Sequence, residues 1–168
     1  MVHGARFKVQ GSRFEGRGVS EVRLREYRPG DWEAMHALDV VCFEPVFRFS
    51  RGAMRGFAEA EGAVTVLAEA AGELVGFCVA ESQQRTGYVV TLDVAPAWRR
   101  RGLARQMMTE VETRVRAAGG LGMELHVFKG NLAAIRFYEG MEYGRVGMAE
   151  GFYGRGLDAL VYRKRFEC

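Results

Sequence analysis

The sequence predicts an α+β sandwich built on a mixed, mostly antiparallel sheet. Three observations carry that prediction. Seven runs alternate apolar and polar residues or are rich in β-branched ones, as strands are. Four intervening segments read as helices, and Ala71-Gly72 joins two of the runs as a hairpin turn. The order along the chain is β-α-α-β-β-β-α-β-α-β-β.

Residues 20–28 (SEVRLREYR) put Val22 and Leu24 on one face, as in a half-exposed strand. Asp31 reads as the N-cap of a helix carrying Trp32, Met35, Leu38 and Val41 at helical spacing. Residues 42–49 (CFEPVFRF) break that period, and Pro45 marks a loop. Ser50 caps a short second helix through Met54, Phe57 and Ala58, which ends near Gly62. Strands follow at 63–69, 73–80 and 87–94, the last stopped by Pro96. Ala104, Met107, Met108, Val111 and Val115 then define an amphipathic helix, closed by Gly119-Gly120. Residues 121–128 (LGMELHVF) return to strand. Asn131 caps a short helix over 131–139, and two strands near 142–148 and 157–166 complete the chain.

The 168 residues are 48% hydrophobic and 27% charged, enough to bury a core and too apolar for a disordered chain. We expect residues 1–18 to be a flexible extension and 19–168 to form a single domain. Cys42, Cys78 and Cys168 lie far apart with no CxxC spacing, which indicates free thiols, a reducing compartment and a cytoplasmic location. His3, His36 and His126 are equally scattered, so no metal site is expected. No apolar stretch is long enough for a transmembrane helix. Glycine is unusually frequent, 22 residues, against an ordinary share of ~7%.

The turn after strand 87–94 concentrates the chemistry. Arg99-Arg100-Arg101-Gly102-Leu103-Ala104-Arg105 stands where a loop enters a helix. Basic residues there oppose the helix dipole, so the arrangement expects an anion. Helix N-terminal N–H groups bind phosphate, with Gly102 and small Ala104 leaving room for it.

R-x-x-G-x-A after a β-branched strand resembles the pyrophosphate loop of the GNAT superfamily, the acetyl-CoA-dependent N-acetyltransferases. Asn131, Ala134, Phe137-Tyr138, Gly140 and Tyr143 resemble that family's second signature, with Gly-Met-Glu-Tyr replacing its Gly-Phe ending. The likeness runs from 20 to 166 and is strongest toward ribosomal-protein alanine and N-terminal acetyltransferases. It implies an α/β/α sandwich with a splayed sheet. Strands 87–94 and 121–128 start paired and then part around acetyl-CoA, the co-substrate. Backbone groups of Leu92, Asp93 and Val94 would pair with its pantetheine. N–H groups of Arg100, Arg101, Gly102, Leu103, Ala104 and Arg105 would hold its pyrophosphate, and Asn131 would reach the pantetheine or the adenine side.

By the same resemblance Tyr138 is the general acid for the CoA sulfur. His126, in a strand where it shares a face with Glu124, stands where some N-terminal acetyltransferases carry a base paired with a strand Tyr, and Tyr88 supplies that Tyr. Glu124 or Glu81 is the fallback base. Phe43-Glu44-Pro45-Val46 matches a substrate loop. Phe152-Tyr153 with Asp158-Ala159 resembles a C-terminal Tyr-Tyr segment, Phe replacing the first Tyr. Phe43, Pro45, Val46 and Tyr153 are therefore expected to contact the acceptor.

The expected function is acetyl transfer to a primary amine by direct attack on the thioester, the acceptor being a protein N-terminal α-amino group. A small-molecule amine (polyamine, amino acid or aminoglycoside) and a non-catalytic acyl-CoA-binding regulatory module are the alternatives. Expected partners are acetyl-CoA and the amine, with neither nucleic acid nor membrane, and a monomer or homodimer. Net charge is −6 over residues 31–98 and +5 over 99–168. The expectation is that the basic part serves the CoA phosphates and the acidic part a cationic amine.

Overall fold

A computed structural model describes residues 21–167. The extension expected at 1–18 and the thiol of Cys168 lie outside the described residues.

The strands are β1 (Val22–Glu26), β2 (Ala63–Ala70), β3 (Glu73–Gln83), β4 (Thr86–Val94), β5 (Gly122–Phe128), β6 (Gly144–Ala149) and β7 (Ala159–Arg165). They form one sheet in the order β1-β2-β3-β4-β5-β7-β6. Only β4 and β5 pair in parallel; every other neighbour is antiparallel. Helices α1 (Asp31–Cys42) and α2 (Arg51–Ala58) cover one face. Helices α3 (Leu103–Ala117) and α4 (Leu132–Glu139) belong to the other. The sheet is thus the mixed, mostly antiparallel one that the sequence predicts.

Each face buries its own core. Met35, Leu38, Met54 and Ala58 meet Leu67, Phe77 and Val79 on the α1–α2 side. Met107, Met108, Val111 and Val115 meet Val66, Cys78, Val89, Met123 and Leu125 on the α3 side. The alternation along β3 divides its residues between the two cores.

Three local readings change. Gly30, not Asp31, is the N-cap of α1, with φ 92° and no side-chain cap. Asp31 opens the helix instead. Its carboxylate takes the Arg28 N–H at 2.6 Å and both terminal nitrogens of Arg25 at 2.7 and 2.9 Å. Burial pushes its pKa up, but these bonds win and hold it below the usual range. Val41 faces solvent rather than the core, since the buried side of α1 runs through Met35, Leu38, Asp39 and Cys42 and leaves Val41 beside it. The third change is at the β3–β4 connection. Both strands run longer than the apolar pattern suggests, because Gln84 turns at φ 57° and lets Gln83 pair with Thr86.

The glycine excess has a packing use. At Gly122, buried where β5 meets β7, an added methyl would drive into the Lys164 carbonyl oxygen, a backbone atom that cannot yield. Gly122→Ala should therefore cost about 1–3 kcal/mol. Gly52, inside α2 with open space around it, should instead gain about 0.5–1 kcal/mol as alanine. Urea unfolding of the two variants beside the parent checks both signs.

Candidate active site

The site follows from an interrupted strand pair. β4 and β5 are in register only from Thr86↔Gly122 to Val89↔Leu125. Beyond that, β4 stays on β3 while β5 stays on β7. Register in β3 shifts at Val79/Ala80, opposite Val89–Thr91, which is a bulge in β4. A wedge opens between Val90–Val94 and His126–Phe128.

The alternation of hydrogen bonds decides which backbone groups line that wedge. Ala95 N–H donates to the Val75 carbonyl at 2.9 Å, so in the same register Asp93 exchanges its bonds with Phe77. Leu92 and Val94 accordingly turn their N–H and C=O toward the wedge, and Asp93 turns its own toward β3. The Val94 carbonyl already accepts from Arg99 Nε at 3.0 Å and from the Cys42 thiol at 3.3 Å. The Asp93 side chain is fully buried beside Asp39. Its Oδ1 accepts from the Thr91 hydroxyl at 2.6 Å, and its Oδ2 has no partner among the described residues. Burial pushes the Asp93 carboxyl well up, so it is held neutral far more readily than an exposed one.

The loop 95–102 brings the basic cluster to one end of the wedge. Gly102 is the N-cap of α3 at φ 78°, a conformation that residues with a Cβ rarely adopt, and Arg100 before it has φ 64°. The first turn of α3 contains no acidic residue. The leading N–H groups, through Arg105, have no intrahelical acceptor. Three of the four arginines have other work: Arg99 on Val94, Arg101 over the Trp98 ring at 5.0 Å, and Arg105 donating to the Gly140 carbonyl at 3.0 Å. A left-handed glycine, free helix N–H groups and unpaired strand groups fit a phosphate-bearing, pantetheine-like molecule lying along β4.

α4 supplies the next group. Asn131 caps it, its Oδ1 accepting from the Ala134 N–H at 3.1 Å. Tyr138 is 8% exposed and packs against Phe137 and Tyr143. Burial pushes its phenol far up, so the hydroxyl keeps its hydrogen at any working pH.

On the α1–α2 side, at the point where the strands part, Tyr88 Oη and His126 Nδ1 lie 3.1 Å apart and hydrogen-bond. In the tautomer with its hydrogen on Nδ1, His126 donates to Tyr88 and keeps a lone pair on Nε2. Burial lowers the His126 pKa from 6.5, against a smaller opposing pull from Glu124. Burial, then Glu124 and Glu81, push the Tyr88 phenol to about 12. Glu124 is held by Arg163 at 2.6 Å, so it is a less available base than its spacing suggests. Glu81 faces Tyr88 across β3–β4.

Aromatic residues close this end. Phe47 meets Phe128 at 5.0 Å and Tyr153 at 5.2 Å between ring centroids, and Phe152 stacks on His126 at 4.2 Å. The α1–α2 loop and the β6–β7 loop therefore touch over the end of β5. Phe43 is half-buried in that loop, and Pro45 and Val46 are exposed on it. Sequence reading passed over Phe47, Phe128 and Asp39. Phe128 was legible, since it continues the Glu124, His126 alternation. Asp39, fully buried, holds the α1–α2 loop by accepting the Phe49 N–H at 3.0 Å. A charge inside an apolar stripe is the signal for it. Phe47 has no comparable signal, because nothing local ties it to Phe128 and Tyr153, far along the chain.

A model of the acetyltransferase (GNAT) family matches residues 32–143. The chain is 29% identical over 103 residues to the catalytic subunit of the N-terminal acetyltransferase A complex of Schizosaccharomyces pombe, covering 56% of this chain and 58% of that protein. It is 34% identical over 100 residues to the N-terminal acetyltransferase B complex catalytic subunit of the same yeast, covering 54% and 55%. The matches span little more than half of these relatives' length. The Escherichia coli ribosomal-protein-S18-alanine N-acetyltransferase has the same fold, with a TM-score of 0.79 over 88% of this chain and 96% of that one at 17% identity.

If the Gly102 turn cradles the CoA phosphates, Gly102→Glu should weaken acetyl-CoA binding at least tenfold, through both charge and a strained φ. Calorimetric titration of the variant, with its Tm measured alongside, checks this.

Proposed function

The chain belongs to the acetyltransferase (GNAT) family, and we propose that it carries the acetyl group of acetyl-CoA to the α-amino group at a protein N-terminus. The observation that carries this reading is the imidazole bonded to Tyr88 at the parting of β4 and β5, its pKa held below 6.5 by burial. Such a base is weak. An α-ammonium, with a pKa near 8, gives up its proton to it far more easily than a lysine-like ammonium near 10.4. The gap of about 2.5 units is worth about 3 kcal/mol, so a low-pKa amine is the natural acceptor. The likeness to N-terminal acetyltransferase catalytic subunits supports the same class.

Acetyl-CoA supplies a thioester whose carbonyl carbon the amine attacks and whose thiolate departs. In this reading His126 Nε2 takes the ammonium proton, directly or through a water. Tyr88 keeps its own hydrogen and accepts from Nδ1–H in the tautomer that leaves Nε2 free to act. The Tyr138 hydroxyl donates to the departing sulfur. Leu92 and Val94 lay the pantetheine along β4 as an added strand would lie. The α3 N-terminus with Arg100 to Arg105 holds the pyrophosphate, and the free amide nitrogen of Asn131 remains available to the co-substrate. Phe43, Pro45, Val46 and Tyr153, joined by Phe47, flank the acceptor.

Acetyl-CoA consumption should be faster with short peptides bearing free N-termini than with spermidine or an aminoglycoside; the reverse order would overturn the peptide acceptor. His126→Ala should lower kcat about 100-fold and Tyr138→Phe by a similar factor, with acetyl-CoA affinity nearly unchanged in both. The sign of the pH effect follows from the lowered pKa. His126 must be neutral to act, so kcat should stay level from pH 8 down to about 6.5 and fall only below it. A parent profile that already declines between pH 8 and 7 would contradict this.

A further inference from the structure

Phe152 is a large apolar side chain left 47% exposed. Its ring lies face to face with the His126 imidazole, centroids 4.2 Å apart and planes 11° from parallel. The loop that carries it is built to stay put. Gly151 N–H donates to Asp158 Oδ1 at 2.9 Å, and Lys129 clasps the other oxygen of that carboxylate at 2.6 Å. Inside the loop, Tyr153 N–H donates to the Leu157 carbonyl at 3.1 Å and Leu157 N–H to the Gly154 carbonyl at 2.9 Å. The Tyr153 hydroxyl donates to the His126 carbonyl at 3.2 Å, tying the loop to the strand it covers. Phe152 carries no hydroxyl and makes no polar side-chain contact. Burial is not its main use, and the surface it covers is the imidazole.

We propose that Phe152 is a positioning residue for the reaction: it stacks on one face of His126 and fixes the plane of the imidazole, while Tyr88 fixes which edge faces Nδ1. This rests on the reading of His126 as the base. The χ2 torsion of histidine is broad and roughly two-fold, so an imidazole held at one edge alone still swings about that hydrogen bond. A flat ring at stacking distance removes the swing. It also excludes water from one face, which favours the neutral form. The groups around His126 otherwise pull in mixed directions. Glu124 on its own strand favours the imidazolium but is tied to Arg163 of β7. Tyr88 on β4, Glu81 opposite it on β3 and the Tyr153 hydroxyl complete the surroundings. Phe152 adds no net charge; its ring shapes and dries one face of the imidazole, against the opposing pull of its negative π face on an imidazolium.

The test uses the full chain labelled at histidine for NMR, with His126→Gln identifying the His126 signals among three histidines. Three variants, Phe152→Ala, Phe152→Leu and Phe152→Tyr, are titrated without co-substrate and then assayed with acetyl-CoA and a free-N-terminus peptide. Phe152→Ala should raise the His126 midpoint toward the ordinary value of about 6.5 and lower kcat about tenfold, with KM for acetyl-CoA unchanged. Phe152→Tyr, which keeps the flat ring, should restore both, and Phe152→Leu should restore neither fully. Because the side chain is half-exposed on a loop, Tm should barely move. A His126 midpoint in Phe152→Ala equal to the parent's overturns the stacking role, and a lowered one overturns the desolvation by showing that the ring favours the imidazolium. A raised midpoint with unchanged kcat leaves the stack but overturns its role in the reaction, whereas His126→Gln with the parent's kcat overturns His126 as the base, so the two readings fail separately.

Discussion

The short parallel pairing of β4 with β5 governs everything else. Four residues of each strand are joined, and then the bulge in β4 and the antiparallel hold of β7 on β5 pull them apart. Backbone groups in the middle of a sheet are normally satisfied by a neighbour. Here the Leu92 groups and the Val94 N–H face a gap, while the Val94 carbonyl is satisfied by Arg99 and the Cys42 thiol. The parallel pair also requires a long crossover, and α3 is that crossover. Its N-terminus therefore lies at the C-terminal end of β4, beside the gap. One interruption in one ladder sets both the strand-like surface and the place of the α3 N-terminus beside it.

The wedge also joins two faces with different chemistry. The α3–α4 side offers a buried phenol that keeps its hydrogen. The α1–α2 side offers a nearly neutral imidazole and two aromatic loops. The same physical cause, loss of water, pushes the phenol and the imidazole in opposite directions, because one is charged when deprotonated and the other when protonated. Both are left uncharged, one poised to donate and one to accept. Less of the acidic stretch faces the site than its net charge suggests. Asp31 and Glu69 are spent on Arg25, Glu59 on Arg55, and Asp39 and Asp93 are buried. Asp39 serves geometry, by holding the loop that brings Phe47 to Tyr153.

Much of this was legible along the chain. Alternation placed the strands within a few residues, and the stripe of Met107, Met108, Val111 and Val115 is the face that α3 buries. The Ala71-Gly72 turn adopts the two positive φ values, 50° and 82°, that a tight hairpin needs. The element ends were read less well where a cap or turn depends on backbone φ rather than on side chains, as at Gly30 and Gln84. In the site, His126 and Tyr88 meet although 38 residues separate them, a pairing that only the family resemblance anticipated.

The sequence by itself determined the order of elements, the two apolar faces and the Gly102 turn into α3, because each depends on residues within one or two turns of chain. Tertiary structure alone decided the rest. Strand order made β4 and β5 neighbours, and the bulge decided which backbone groups face the wedge. Arg163 removed Glu124 from contention as a free carboxylate. Loops 43–49 and 151–157 met across Phe128. These outcomes depend on register and on packing between segments far apart in the chain, which no local period encodes.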